Sequence, residues 1–176
     1  EADDYGGGIF IENANPVMEN VKIVLNRSGS KGGGIFIYTE TVIQSINKIL
    51  ISENNSDGHG GGIFLSANSE INCKNTTIAK NSIGEGDVFG AGIYSDGGNV
   101  NLINSIIYYN RREGDDGINY NLNGYTMDML EEYNVSYSDI EGDENWVPSG
   151  EGNIDIDPQF ADPENGDYTL MEGSPC

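Results

Sequence analysis

The stretch Gly60-Gly61-Gly62-Ile63-Phe64-Leu65, followed ten residues on by Asn75-Thr-Thr-Ile-Ala-Lys-Asn81, decides how this chain folds. The first half stands also as GGGIFI at Gly6–Ile11 and Gly32–Ile37 and as GAGIYS at Gly90–Ser95, at spacings of 26, 28 and 30 residues. The second half recurs as an apolar run bracketed by asparagine: Asn20–Asn26, Asn47–Asn54, Asn75–Asn81 and Asn104–Asn110. A fixed period of this size marks a stacked-repeat architecture. Each apolar piece is short, rich in Ile, Val, Phe and Tyr, and bounded by Gly or Asn, which is strand punctuation. The spacing of three and four that a helical repeat would need is missing.

One such unit is too short to bury its own apolar face, and stacking copies solves that. The expected fold is therefore all-β, a right-handed parallel β-helix of about five coils with an irregular C-terminal closing segment. A single domain over 1–176 is expected, regular over 1–117 and irregular over 118–176. Stacking predicts an interior column of Ile9, Ile35, Ile63 and Ile93. A second column is expected from Ile23, Ile49 or Ile51, Ile78 and Ile106. Asn26, Asn54, Asn81 and Asn110 fall at one turn of each coil, where their amides can bond up and down the stack as an asparagine ladder. The period varies in Arg27–Lys31, Asn55–His59, Ser82–Phe89 and Arg111–Gly117, which are expected to be loops along one edge and a candidate binding surface.

Composition narrows the function. The chain has 176 residues, 25 of them Gly, and a formal net charge of −21 with eight Lys plus Arg. That charge disfavours nucleic acid, whose phosphates need cations, and acidic polysaccharides likewise. It suits an extracellular surface or a divalent-cation binder. No apolar run approaches a membrane span. Two cysteines, Cys73 and Cys176, make no disulfide framework. Cys73 follows Ile71 at strand period and is expected in the core. The chain opens within a repeat and stops in a motif that looks unfinished, so a mature product or a piece of something longer is expected.

The GGGI repeats with spaced Asn resemble the right-handed β-helix repeats of the pectate-lyase-like superfamily. They are especially similar to polymorphic outer-membrane-protein repeats, which carry a GGAI-type motif. From Asn104 to Cys176 the run NSIIYYN, YSDIEG, GNIDIDPQF, GDYTL and GSPC resembles the tail of secreted bacterial β-helix proteins with a choice-of-anchor Q domain. The resemblance implies the β-helix fold and export to the cell surface. It implies no one activity, because the scaffold hosts lyases, hydrolases, adhesins and filament components alike.

No catalytic constellation is announced. A lyase base would be sought at Arg111 and Arg112 beside Asp115 and Asp116, although neighbours on an extended chain point in opposite directions. His59, the one histidine, is expected to be a surface turn residue. Calcium is the one cofactor the pattern suggests: Asp155 and Asp157 alternate onto one face, and hard cations want several oxygens. Tyr108, Tyr109, Tyr120, Tyr125, Tyr133 and Tyr137 crowd the later third, where lateral packing of the irregular coil near Met127 to Leu130 is expected, with a face that stacks on sugar rings as the alternative. The expectation is a non-catalytic structural or adhesive module on the cell exterior, with a glycan or protein ligand. End-to-end self-association into a filament and a polysaccharide lyase or hydrolase are the alternatives.

Overall fold

A computed structural model describes residues 1–38, 42–114, 121–124, 133–142 and 149–176. The chain is an all-β parallel β-solenoid. Its first turn places β1 (Ile9–Glu12), β2 (Val17–Glu19), β3 (Lys22–Val24) and β4 (Arg27–Ser28). The second repeats them as β5 (Ile35–Tyr38), β6 (Val42–Asn47), β7 (Leu50–Ser52) and β8 (Asn55–Ser56). The third gives β9 (Ile63–Leu65), β10 (Glu70–Lys74), β11 (Thr77–Ala79) and β12 (Ser82–Ile83). The fourth gives β13 (Ile93–Ser95), β14 (Asn99–Ile103), β15 (Ile106–Tyr108) and β16 (Arg111–Arg112). A partial fifth adds β17 (Leu122–Gly124), β18 (Tyr133–Ser136) and β19 (Asp139–Ile140).

Equivalent strands pair in parallel into four sheets, ordered β1-β5-β9-β13-β17, β2-β6-β10-β14-β18, β3-β7-β11-β15-β19 and β4-β8-β12-β16. Among the described residues the first four turns alone supply a strand to every sheet, so the solenoid has about four turns rather than the expected five. The fifth set of strands lies where the glycine motif is no longer written, and among the described residues it adds nothing to the fourth sheet. Two of the sheets stand outside the glycine and asparagine motifs. The second runs between them. The fourth takes the opening two residues of each variable segment, which are strand rather than loop.

Register fixes the interior. Ile9, Ile35, Ile63 and Ile93 are successive partners in the first sheet, ending on Leu122. In the third sheet the partners are Ile23, Ile51, Ile78, Ile107 and Ile140. Ile107 therefore replaces the expected Ile106, which pairs with Thr77 and faces outward under the tail. Ile35, Ile51, Ile63, Ile78, Ile93 and Ile107 are fully buried. Each contributes roughly 1.5–3 kcal/mol by leaving water.

The asparagines run through this core as one polar thread. Asn54 Nδ2 donates to Asn81 Oδ1 at 2.9 Å, Asn81 Nδ2 to Asn110 Oδ1 at 2.9 Å, and Asn110 Nδ2 to Asn121 Oδ1 at 2.7 Å. Asn26 Nδ2 opens the series on Asn54 Oδ1 at 2.9 Å. Each Oδ1 accepts twice, since the backbone N–H of Asn26, Asn54, Asn81 and Asn110 also donates to the next amide. Burying an amide costs several kcal/mol unless it is bonded, and here both of its ends are used. The residue before each ladder Asn is left-handed: Leu25, Glu53, Lys80 and Tyr109 have φ of +59°, +56°, +52° and +60°. That conformation costs a non-glycine residue about 1 kcal/mol and turns the chain so that the amide enters the core.

The glycine motif and the ladder are one device. The first glycine of each triplet is left-handed, with φ of +71° at Gly60. The third makes room for the Asn. A Cβ on Gly62 would lie 2.5 Å from the Gly92 oxygen, 3.1 Å from Ile78 Cγ2 and 3.2 Å from Asn81 Nδ2.

After β19, Ile154 bridges to Asp139 and Asn153 Oδ1 accepts the Ser138 N–H, which extends the third sheet by one short step. The chain then doubles back. β20 (Phe160–Asp162) and β21 (Asp167–Leu170) form an antiparallel pair around a 3-10 turn at Pro163–Asn165. Phe160 and Tyr168 pack on the third sheet, against Ala79 and Tyr108. The tail thus covers the outer flank of the third sheet and, among the described residues, 151–156 extend its end.

Candidate ligand groove on the aromatic face

Strand alternation puts the residue between the two inward apolar positions of each GGGIFI motif on the outside. That residue is Phe10, Phe36, Phe64 and Tyr94, partners in successive turns of the first sheet. Their rings stack in a row. Phe10 and Phe36 are 5.4 Å apart, Phe36 and Phe64 5.0 Å, and Phe64 and Tyr94 5.4 Å, all within 24° of parallel.

Two flanking columns complete the face. The residue just before each glycine triplet is Tyr5, Lys31, His59 or Phe89. The first three each lie over the ring of the following turn: Tyr5 on Phe36 at 4.8 Å, Lys31 Nζ over Phe64 at 4.6 Å, and His59 on Tyr94 at 4.4 Å. On the other side, three residues after the first Ile of each strand, stand Glu12 and Tyr38, which end their strands, and Ser66 and Asp96, which follow theirs. The middle column is aromatic in each of the four full turns, and the flanks change chemistry from turn to turn.

Between these columns lies a groove of about 280 Å³, walled by the rings of Tyr5, Phe10, Phe36, Tyr38 and Phe64. Lys31, Ser66 and Asp96 supply its polar edge. Phe36, Phe64 and Tyr94 are buried by their neighbours, while Tyr5, Phe10 and Tyr38 keep 46%, 47% and 43% of their surface exposed. Free ring surface is therefore concentrated in the first two turns.

His59 sits at the bend before Gly60, as expected, and its ring also forms part of this face. Its ring is half-buried, stacked on Tyr94, and its Nδ1 accepts the Phe89 N–H at 3.0 Å. Burial, then the Lys31 ammonium, hold its pKa below the usual imidazole value, so the neutral, accepting form is favoured.

The remaining candidates are dispersed. Arg111 makes a two-pronged pair with Glu141, Nη1 to Oε2 at 2.7 Å and Nη2 to Oε1 at 2.5 Å. Glu141 is the terminus of the asparagine ladder: Asn121 Nδ2 donates to its backbone oxygen at 2.9 Å and to Oε2 at 3.2 Å. The Tyr109 N–H donates to the same Oε2 at 2.7 Å. Arg112 lies 5.5 Å from the Phe89 ring centre and donates to the Val88 oxygen at 2.6 Å. Asp115 and Asp116 lie outside the described residues.

Asp155 and Asp157 fasten the tail. Asp155 accepts the Gly142 N–H at 3.1 Å and the Tyr108 hydroxyl at 3.4 Å. Asp157 accepts the Gln159 N–H at 2.9 Å and the Tyr109 hydroxyl at 3.1 Å. Burial first, and then these carboxylates, push both tyrosines above their usual pKa. Nearby, Asp139 accepts the Ile156 N–H and the Cys176 thiol. Burial raises the Asp139 pKa, and burial with the Asp139 bond pushes the Cys176 thiol up to about 12. Among the described residues, no three carboxylate, thiol or imidazole groups are placed to hold a metal ion together.

The described ones among the later tyrosines do not share a face. Tyr133 is in the main core, Tyr108 and Tyr109 pack under the tail, and Tyr137 is exposed. Tyr120 and Tyr125 lie outside the described residues. Cys73 is buried among the inward side chains of the second sheet, and neither cysteine is bridged. Burial pushes its thiol up to about 12.

The aromatic row could have been found in the sequence. It needs only the period of two applied within GGGIFI, and the flanking column needs only the residue before each triplet. In comparisons by sequence and by structure, no family model, no curated protein and no solved structure matched the chain. Among the described residues no helix is long and apolar enough to cross a membrane.

Proposed function

We propose that the chain is a non-catalytic structural and adhesive β-helix module of a secreted or surface-anchored prokaryotic protein, recognising its ligand through the outer face of the first sheet. The observation that carries this reading is the groove itself. It is walled by five aromatic rings and edged by one cation, one carboxylate and one serine hydroxyl. That composition fits recognition, in which rings supply contact area and a few polar groups supply direction. The resemblance of the GGGI repeats to polymorphic outer-membrane-protein repeats, and of the tail to choice-of-anchor Q proteins, supports export. The net charge of −21 supports an exterior setting.

The lyase alternative is less well supported. The arginines that would serve as its base hold structural contacts, Arg111 on Glu141 and Arg112 on Val88. End-to-end stacking is also less well supported. A stacked copy would need the Asn121 amide to continue the ladder into its own Asn26, and that amide is given to Glu141.

Purified chain incubated with polygalacturonate, alginate and chondroitin tests the reading. The expected result is no unsaturated product over days, and a monomer by light scattering at high concentration. Turnover of any of the three would overturn the non-catalytic reading.

A further inference from the structure

We infer that the groove on the first sheet takes a neutral oligosaccharide, seated on the exposed rings of Tyr5, Phe10 and Tyr38 and held at its hydroxyls by Lys31, Ser66 and Asp96. This rests on the adhesive reading and names the ligand class for it.

The polar edge decides the class. Lys31 holds its ammonium over the Phe64 ring, 4.6 Å from the centroid, at the wall of the groove. A cationic ligand would meet that charge. Asp96 on the other side of the groove would meet an anionic one, and the net charge of −21 opposes a polyanion at longer range. A neutral polyol satisfies both at once, since each sugar hydroxyl donates to a carboxylate and accepts from an ammonium. A polyproline stretch also fits aromatic grooves, but its imide backbone offers carbonyl acceptors alone, which leaves Asp96 without a donor.

The rings fit the same ligand. Stacking along the solenoid axis consumes the faces of Phe36, Phe64 and Tyr94, which are buried. Tyr5, Phe10 and Tyr38 keep 46%, 47% and 43% of their surface exposed. Sugar C–H faces pack on such surface, as apolar groups do on aromatic rings. The flanking columns change at every turn, from Tyr5 to Lys31 to His59 and from Tyr38 to Ser66 to Asp96. A constant platform with variable edges lets the edge residues set which sugar is accepted.

The test is a ¹H–¹⁵N NMR titration of the whole chain. The probes are cellotetraose, maltotetraose and tetra-N-acetylchitotetraose, with tetragalacturonate, deacetylated chitotetraose and decaproline as competitors for the assignment. The expected result is saturable shifts with at least one neutral tetrasaccharide, centred on Tyr5, Phe10, Lys31, Tyr38 and Asp96. Phe10→Ala combined with Tyr38→Ala is expected to weaken binding about tenfold or more, as loss of ring contact does. Ile103→Ala, at a residue 44% exposed on the second sheet, is expected to bind within about twofold of the unaltered chain. Shifts with none of the neutral probes, stronger binding of the charged probes or decaproline, or a double variant that binds unchanged would each overturn the inference. Cleavage products in the titration tubes would instead overturn the non-catalytic reading and leave the groove assignment standing.

Discussion

In the first four turns the same contacts return with every coil: an Ile on an Ile, an Asn amide on an Asn amide, a glycine under that amide. In the terminal segment each contact is made once. Tyr168 reaches Glu53 with its hydroxyl at 3.1 Å, Lys80 pairs with Glu164 at 2.9 Å, and Asp139 receives the Cys176 thiol. The coils are thus held by a buried and repeated set, and the tail by a small apolar patch with an exposed polar rim. Repetition makes the coils cooperative along the axis. Single contacts make the tail a separate, weaker unit that can open alone.

Breaking the ladder in mid-stack should have the largest effect. Asn81→Ala strips the acceptor from Asn54 Nδ2 and the Asn54 N–H, and the donor from the Ile51 oxygen. Orphaning these buried groups should cost about 4 kcal/mol, read as a drop in the urea midpoint. Asn26→Ala, at the open end, should cost about 1 kcal/mol in the same measurement. Equal losses would mean the ladder is not cooperative.

Gly62→Ala comes next. The new methyl would meet the Gly92 oxygen at 2.5 Å, and only movement of the coil above relieves that. A loss of about 3 kcal/mol is expected by thermal or urea unfolding. Tyr168→Ala should act on the tail alone. It removes a buried ring from the patch with Phe160, Ala79 and Tyr108. Docking should weaken by about 2 kcal/mol, seen as faster protease cleavage between 157 and 170, with the coils melting as before.

The smallest effect is electrostatic. Burial raises the pKa of Asp139 in the folded chain above its ordinary 3.8, and its neighbours Asp155 and Asp157 raise it further. The folded state therefore holds this proton more tightly than the unfolded one. The stabilising contribution is fully present below pH 3.8 and is lost as pH rises through the raised value. Tail docking, measured by the same proteolysis, should tighten slightly as pH falls through that window, and Asp139→Asn should flatten the dependence.

How far the sequence could be read follows the same division. The first and third sheets were legible because their side chains recur at a nearly constant period with glycine or asparagine beside them. Of the second, the alternation of Ile71 and Cys73 is legible, but its strands, such as Glu70–Lys74 and Asn99–Ile103, alternate core residues with outward Asn and charge, so no two share a visible word. The fourth was read as loop because two-residue strands such as Arg27–Ser28 carry no pattern. Choosing Ile106 over Ile107 was a slip of one residue, and the asparagine bracket alone does not set that register. The groove is not legible locally because stacked partners such as Phe36 and Phe64 stand 28 positions apart and meet only when coils stack. The tail's return to Glu53 spans 115 residues of sequence, and nothing local announces it.

If the repeats stack in register around one buried thread of amides, side-chain hydrogen exchange by NMR will show it. The Nδ2 protons of Asn54, Asn81 and Asn110 are expected to exchange as slowly as the backbone N–H of Ile63. Each should also show a nuclear Overhauser contact to its own coil's glycine, Gly34, Gly62 or Gly92. Fast exchange at all three, as for solvent-exposed asparagine, would contradict it.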